Sequence, residues 1–170
     1  VVETGAGDGS KYSDREYSEA GAKIVYSAKE AFECDLVLKV EPPTFEEIEY
    51  MKPGQKLISA IQFTSLKPDY IKKLNKQKIT SLAFELIQNE IHDYPFIRAM
   101  AEIAGSTVML IAAEYLSNTN NGQGIILGGI TGVPPTKVMI IGAGTVAEFA
   151  ARTALGVGAE VRIFDNQVFK

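Results

Sequence analysis

The stretch from Lys137 to Asn166, KVMIIGAGTVAEFAARTALGVGAEVRIFDN, constrains the fold of this chain more than any other. It reads as strand, glycine turn, helix, strand. Val138, Met139, Ile140 and Ile141 form a short apolar run, the pattern of a strand buried on both faces. Gly142-Ala143-Gly144-Thr145-Val146-Ala147 satisfies G-x-G-x-x-G/A, a turn suited to a dinucleotide. Gly142 permits the tight turn, Gly144 leaves bare backbone for a phosphate to approach, and Ala147 keeps the helix close to the sheet. The helix N-terminus then offers free N–H groups and a partial positive charge to a pyrophosphate. Val161 to Phe164 is the second strand, and Asp165 closes it. A carboxylate there accepts both ribose hydroxyls of NAD and repels the 2′-phosphate of NADP. The expected cofactor-binding set is Gly142, Ala143, Gly144, Thr145, Val146, Asp165 and Asn166. The alternative is a glycine-rich strand–helix corner with no ligand, which does not require a terminal acid.

One β-α-β unit takes about 30 residues, and a complete dinucleotide fold has about six strands. The chain stops just after one such unit, and Val1-Val2-Glu3 reads as the tail of a strand already under way. The sequence is therefore expected to be a portion of a longer polypeptide. Composition is that of a globular protein, 46% hydrophobic and 22% charged. The net charge of −4 and the lack of a basic patch with interleaved aromatics give no support to nucleic-acid binding. The single cysteine, Cys34, stands between Glu33 and Asp35, which disfavour a thiolate. It rules out an internal disulfide framework and suits a reducing compartment. No uninterrupted apolar run reaches the roughly 18 residues that span a bilayer, and no signal-peptide pattern opens the chain. These features predict a cytoplasmic protein with no membrane partner in this portion.

Before the glycine turn, strands and helices alternate. Gly5 to Ser10 is a glycine-rich connection in which Asp8 stands where a phosphate would lie, so it reads as structural. Ser13 caps a short helix, and Lys23 to Tyr26 is a short strand. Ser27 to Glu30 and Thr44 to Glu47 are capping boxes. Asp35 to Val40, Lys56 to Ile61 and Ile79 to Phe84 are strands. Pro68 to Lys78 is an amphipathic helix with Tyr70, Ile71 and Leu74 inward and Lys72, Lys73, Lys76 and Lys78 in water. Phe96 to Leu116 is one long helix, apolar on nearly all sides, which predicts burial. This order means α/β architecture: two Rossmann-like domains with mainly parallel sheets, linked by a long buried helix. Residues 1–95 are expected to be a partial substrate domain, 96–136 the interdomain helix and linker, and 137–170 the start of the NAD-binding domain.

Among residues that carry chemistry, Lys39 ends an otherwise apolar strand, at the edge where open α/β sheets bind ligands. There an ammonium holds a substrate carboxylate or polarises a carbonyl. A lysine snorkelling from the strand end fits the same pattern. His92, the only histidine, lies in a polar loop and reads as solvated. No Cys/His/Asp cluster has metal-ligand spacing.

GAGDGS (Gly5 to Ser10), AGAKIV (Ala20 to Val25), LVLKVEPP (Leu36 to Pro43), MKPGQKLIS (Met51 to Ser59), AMAEIAG (Ala99 to Gly105) and LGGITGVPPTKVMIIGAGTV (Leu127 to Val146) follow one another in a fixed order. With them the chain resembles the family of alanine dehydrogenases and proton-translocating nicotinamide nucleotide transhydrogenases (alpha subunit), closest to alanine dehydrogenase. The resemblance implies reversible, NAD-linked oxidative deamination of L-alanine to pyruvate and ammonia, by a homo-oligomer acting on a small amino acid or oxo acid. It implies that Lys39 binds substrate, that Met100 lines the substrate pocket and that Asp165 holds the adenosine ribose. The family's substrate-binding arginine and catalytic aspartate would fall before Val1 and after Lys170. At Gln62 alanine dehydrogenases carry a histidine that handles the proton of amine–carbonyl interconversion, and an amide does not titrate near neutral pH. The family's lysine-valine-lysine-glutamate-proline segment is here Lys39-Val40-Glu41-Pro42-Pro43. Two other readings stay open: the NAD(H)-binding component of a transhydrogenase, which needs no catalytic histidine, and a non-catalytic NAD-binding module.

Overall fold

The computed structural model describes residues 1–62 and 65–167. Residues 168–170 of the expected 137–170 segment lie outside that range. The chain forms two compact units, Val1–Ile87 and Gln88–Lys170, and both are α/β.

In the first unit, β1 (Val2–Glu3) pairs in parallel with β2 (Ile24–Val25). The glycine-rich turn after β1 closes on its own chain: Asp14 accepts the Gly5 N–H at 2.9 Å and the Thr4 hydroxyl. The turn thus joins β1 to the first helix, the connection its sequence suggests. Helix α1 (Asp14–Glu19) begins at Ser13 with a complete capping box to Glu16. At α2 (Ala28–Ala31) the expected box is half formed, because Ser27 takes the Glu30 N–H while its hydroxyl donates to the Glu30 carboxylate.

The main sheet of this unit has the order β3 (Leu36–Leu38), β4 (Lys56–Ser59), β5 (Thr80–Ala83), all parallel. Its helices are α3 (Phe45–Tyr50) and α4 (Pro68–Lys76). Val37 and Leu57 face each other across the ladder and join Phe32, Met51 and Ile61 in one core. Leu57 and Ile61 are fully buried, which stabilises the fold by about 1.5–3 kcal/mol each. Gln55, itself buried, ties the start of β4 to the end of α2: its Nε2 donates to the carbonyls of Phe32 (2.7 Å) and Cys34. Tyr70 and Leu74 of α4 pack on Ile48, as expected. Ile71 does not: it is 36% exposed, since it lies a quarter turn or so off the Tyr70–Leu74 stripe. Lys73 is also not simply solvated, for it bonds Glu49 at 2.7 Å and the Phe45 carbonyl at 2.6 Å.

In the second unit, β6 (Lys137–Ile141) pairs in parallel with β7 (Glu160–Phe164), joined by α6 (Thr145–Gly156). The long helix α5 (Pro95–Leu116) packs on α6 at its small residues. A Cβ on Gly105 would stand 2.4 Å from the Val146 carbonyl oxygen and 2.8 Å from the Phe149 Cβ. Met109, one turn on, joins Leu127, Ala150, Ala154 and Ala159 in the core beneath Val138 and Ile140.

Two burial expectations are met on one side only. Alternate residues of β6 point to opposite faces, and Met139 (66% exposed) and Ile141 (85%) look away from α5 and α6 with nothing laid over them among the described residues. Helix α5 is buried at Gly105 and Met109, while Met100, Ile103, Leu110 and Tyr115 stay open. By length and composition α5 is also long enough and apolar enough to cross a bilayer, a test that core helices of soluble proteins pass as well. Arg98, Glu102 and Glu114 interrupt its apolar run.

Candidate functional site

In the second unit the fold brings the glycine turn and the acid after β7 together. The parallel register sets Ile141 beside Phe164, so the two strands end level. Gly142 donates its N–H to the Phe164 carbonyl at 2.7 Å and takes φ +103, a conformation that side chains disfavour. The next amide, that of Ala143, donates to Asp165 Oδ2 at 2.7 Å. Asp165 Oδ1 accepts the Gln167 N–H at 2.7 Å. A Cβ at Gly142 or Gly144 would meet no protein atom within 4 Å, so the space beside both glycines is open. Gly144 begins α6 without a side-chain cap, which leaves the first-turn amides of Thr145 and Val146 for a ligand. Ala147 is buried, as the close approach of helix and sheet requires. These features fit a pyrophosphate at the helix start and a ribose near Asp165. Asn166 is exposed beside them.

In the first unit Lys39 and Gln62 follow neighbouring strands, β3 and β4, at the C-terminal edge of one sheet. The backbone links them: Lys39 N–H donates to the Ile58 carbonyl and Ala60 N–H to the Val40 carbonyl. The Lys39 ammonium is held by both oxygens of Glu47, at 2.9 and 2.8 Å. Burial pushes the Glu47 carboxyl up, but the Lys39 ammonium and the N–H of Thr44 pull it down by more, so it sits below the ordinary glutamate value. The nearby Tyr70 phenol, bonded to the Pro43 carbonyl at 2.6 Å, is pushed up to about 12 by burial and then by the Glu47 charge. Gln62 lies in the left-handed region, φ +48, and its N–H donates to Glu85 Oε1 at 2.6 Å.

Met100 belongs to the second unit, on α5, and is 58% exposed. His92 is exposed in its loop, as expected. No group of three or more His, Cys, Asp and Glu among the described residues is arranged to hold a metal. A cleft of about 340 Å³ lined by Ala113, Ser117, Asn118 and residues 124–127 includes none of the candidate residues. Glu47 and Glu85 are the groups that sequence reasoning passed over. Glu47 was visible as the third helical residue of a capping box, but its bond to Lys39 spans a turn. Glu85 lies 23 residues from Gln62, with no local signal.

Known proteins match this arrangement along nearly the whole chain. Residues 1–104 match the model of the alanine dehydrogenase/PNT N-terminal domain, and residues 108–169 that of the alanine dehydrogenase/PNT C-terminal domain. An alanine dehydrogenase of Methanococcus maripaludis is 40% identical over 96% of the chain, and the chain spans 44% of that relative's length. A solved L-alanine dehydrogenase superposes with a TM-score of 0.89 at 35% identity, over 98% of this chain and 46% of the other. A transhydrogenase from Sinorhizobium meliloti gives 0.81 at 28% identity, over 98% and 49%. With both family domains matched in order over almost every residue, the chain belongs to the alanine dehydrogenase/PNT family.

Proposed function

We propose that the full-length protein is an NAD-dependent amino-acid dehydrogenase that interconverts L-alanine with pyruvate and ammonia in the cytoplasm. The observation that carries this reading is the glycine turn bonded through Ala143 to Asp165, at level ends of β6 and β7. NAD would supply the hydride acceptor. Gly142 and Gly144 would leave room for its pyrophosphate, the Thr145 and Val146 amides would bind it, and Asp165 with Asn166 would receive the ribose. The higher identity to alanine dehydrogenases than to the transhydrogenase supports the choice of reaction.

Lys39 and Gln62 would form part of the substrate site at the edge of the first sheet. Glu47 already neutralises the Lys39 ammonium, so Lys39 would polarise or orient a substrate group rather than serve as a free counter-charge for its carboxylate. Gln62 would donate and accept hydrogen bonds without transferring a proton. One observation favours a second reading, the NAD(H)-binding component of a transhydrogenase: an amide at residue 62 suffices where hydride passes between two nucleotides. Initial rates with L-alanine and NAD, beside rates of hydride exchange between NADH and an oxidised nicotinamide analogue, separate the two. NADH formation that depends on L-alanine supports the dehydrogenase. Exchange without amino-acid turnover would overturn it in favour of the second reading.

A further inference from the structure

The C-terminal ends of β3, β4 and β5 lie side by side, because the three strands run parallel with Leu38, Ile58 and Leu82 in register. Ligands bind open α/β sheets at that edge. Few side chains there can carry a proton. Lys39 is committed to Glu47, and Glu41 is exposed beyond β3. Gln62 does not titrate. Glu85, in the short turn Phe84–Leu86 after β5, takes part in no ion pair among the described residues, and its Oε1 accepts the Gln62 N–H at 2.6 Å. Its Oε2 is buried without a hydrogen-bond partner among the described residues. Native folds satisfy most buried polar atoms, and an exception calls for an explanation such as a catalytic role. The backbone that Glu85 bonds is itself unusual: Gln62 sits at φ +48, a conformation seen chiefly where surrounding structure or function imposes it.

We propose that Glu85 is the acid–base group of amine–carbonyl interconversion, acting beside Gln62 at the end of β4; this rests on the dehydrogenase reading above. In the deamination direction, the substrate ammonium first loses a proton to solvent, and hydride loss from C2 of the free amine to NAD then leaves a protonated imine. Water then adds, its O–C2 bond forming as one of its protons passes to the Glu85 carboxylate. The resulting carboxylic acid returns that proton to the amine nitrogen. As the C–N bond breaks, the nitrogen leaves with the electron pair, the hydroxyl proton passes to Glu85, and a carbonyl remains. Ammonia takes that proton as ammonium, and Glu85 is a carboxylate again. All the oxidation lies in the hydride loss, and the later steps move only protons and water.

The test compares the full-length protein with its Glu85→Gln variant, an isostere that keeps the acceptor for the Gln62 N–H and loses the exchangeable proton. The expected result is a fall in kcat of about 100-fold or more, with KM for L-alanine within about threefold and the melting temperature unchanged. The Gln62→His/Glu85→Gln double variant should recover at least about tenfold of the lost kcat, since an imidazole supplies the missing acid–base group. A Glu85→Gln variant that keeps more than about a third of kcat would overturn the proposal and leave the dehydrogenase reading intact. So would a variant whose kcat, KM and melting temperature fall together, with no recovery in the double variant. A wild-type protein inactive with L-alanine would sink the dehydrogenase reading, and this proposal with it.

Discussion

The bond between Lys39 and Glu47 shows how a single residue's role depends on partners that sequence does not display. Both charges are partly shielded, with side chains 32% and 15% exposed. Removing one therefore costs more than breaking a surface pair. Glu47→Gln is expected to destabilise the protein by about 1–2 kcal/mol at neutral pH. The sign of its pH dependence follows from the lowered Glu47 carboxyl. A group held below its unfolded value contributes stability that is fully present above that value and is lost as pH falls through the folded one. Melting curves of wild type and Glu47→Gln should thus converge as pH drops below about 4. Curves that stay parallel would assign the pair no electrostatic role.

At the scale of elements, much was legible. Ser13 and Thr44 announce helix starts because their side chains take the orphan N–H three residues on, and both do so in the structure. Gly142 announces its turn because positive φ is open chiefly to glycine. The glycine turn, Asp165 and the parallel pairing of β6 with β7 all lie within one local stretch, so that candidate site could be read whole. Lys39–Glu47 could not, since it depends on how the turn after β3 brings α3 back to the strand end, nor could Gln62–Glu85, 23 residues apart, which meet only through strand order. Burial was the other limit. Hydropathy marks Met139, Ile141 and most of α5 as apolar, but not which face a neighbour covers.

The seam between α5 and α6 yields an element-scale prediction. Gly105→Ala drives a Cβ onto the Val146 carbonyl, backbone that cannot step aside without shifting the first turn of α6. The expected outcome is a loss of about 1–3 kcal/mol, as for other overpacking changes, with weaker NAD binding if the amides of that turn hold the phosphates as proposed. Gly156→Ala, where a Cβ meets nothing within 4 Å, should be neutral or stabilise by up to about 1 kcal/mol. Chemical denaturation with calorimetric NAD titration checks both; equal effects at the two glycines would contradict the packing account.

For the whole molecule, the chain spans under half the length of the curated relatives it matches, and its two units leave broad apolar faces open. Leu38, Val40, Ile103 and Ile141 are 74%, 76%, 67% and 85% exposed. Exposed apolar side chains in such number favour association. Residues 1–170 expressed alone are expected to self-associate and bind a hydrophobic dye, whereas the full-length protein should do so far less. Size-exclusion chromatography and dye fluorescence of the two provide the comparison.

The central claim is that the turn at Gly142–Val146, tied to Asp165, is an NAD site. Calorimetric titration of the full-length protein and its Asp165→Ala variant with NAD and NADP tests it most directly. The account predicts that wild type binds NAD in preference to NADP, and that the variant loses about tenfold or more of its NAD affinity while its preference narrows. Equal affinity of wild type for the two dinucleotides, or a variant that binds NAD as tightly as wild type, would contradict it.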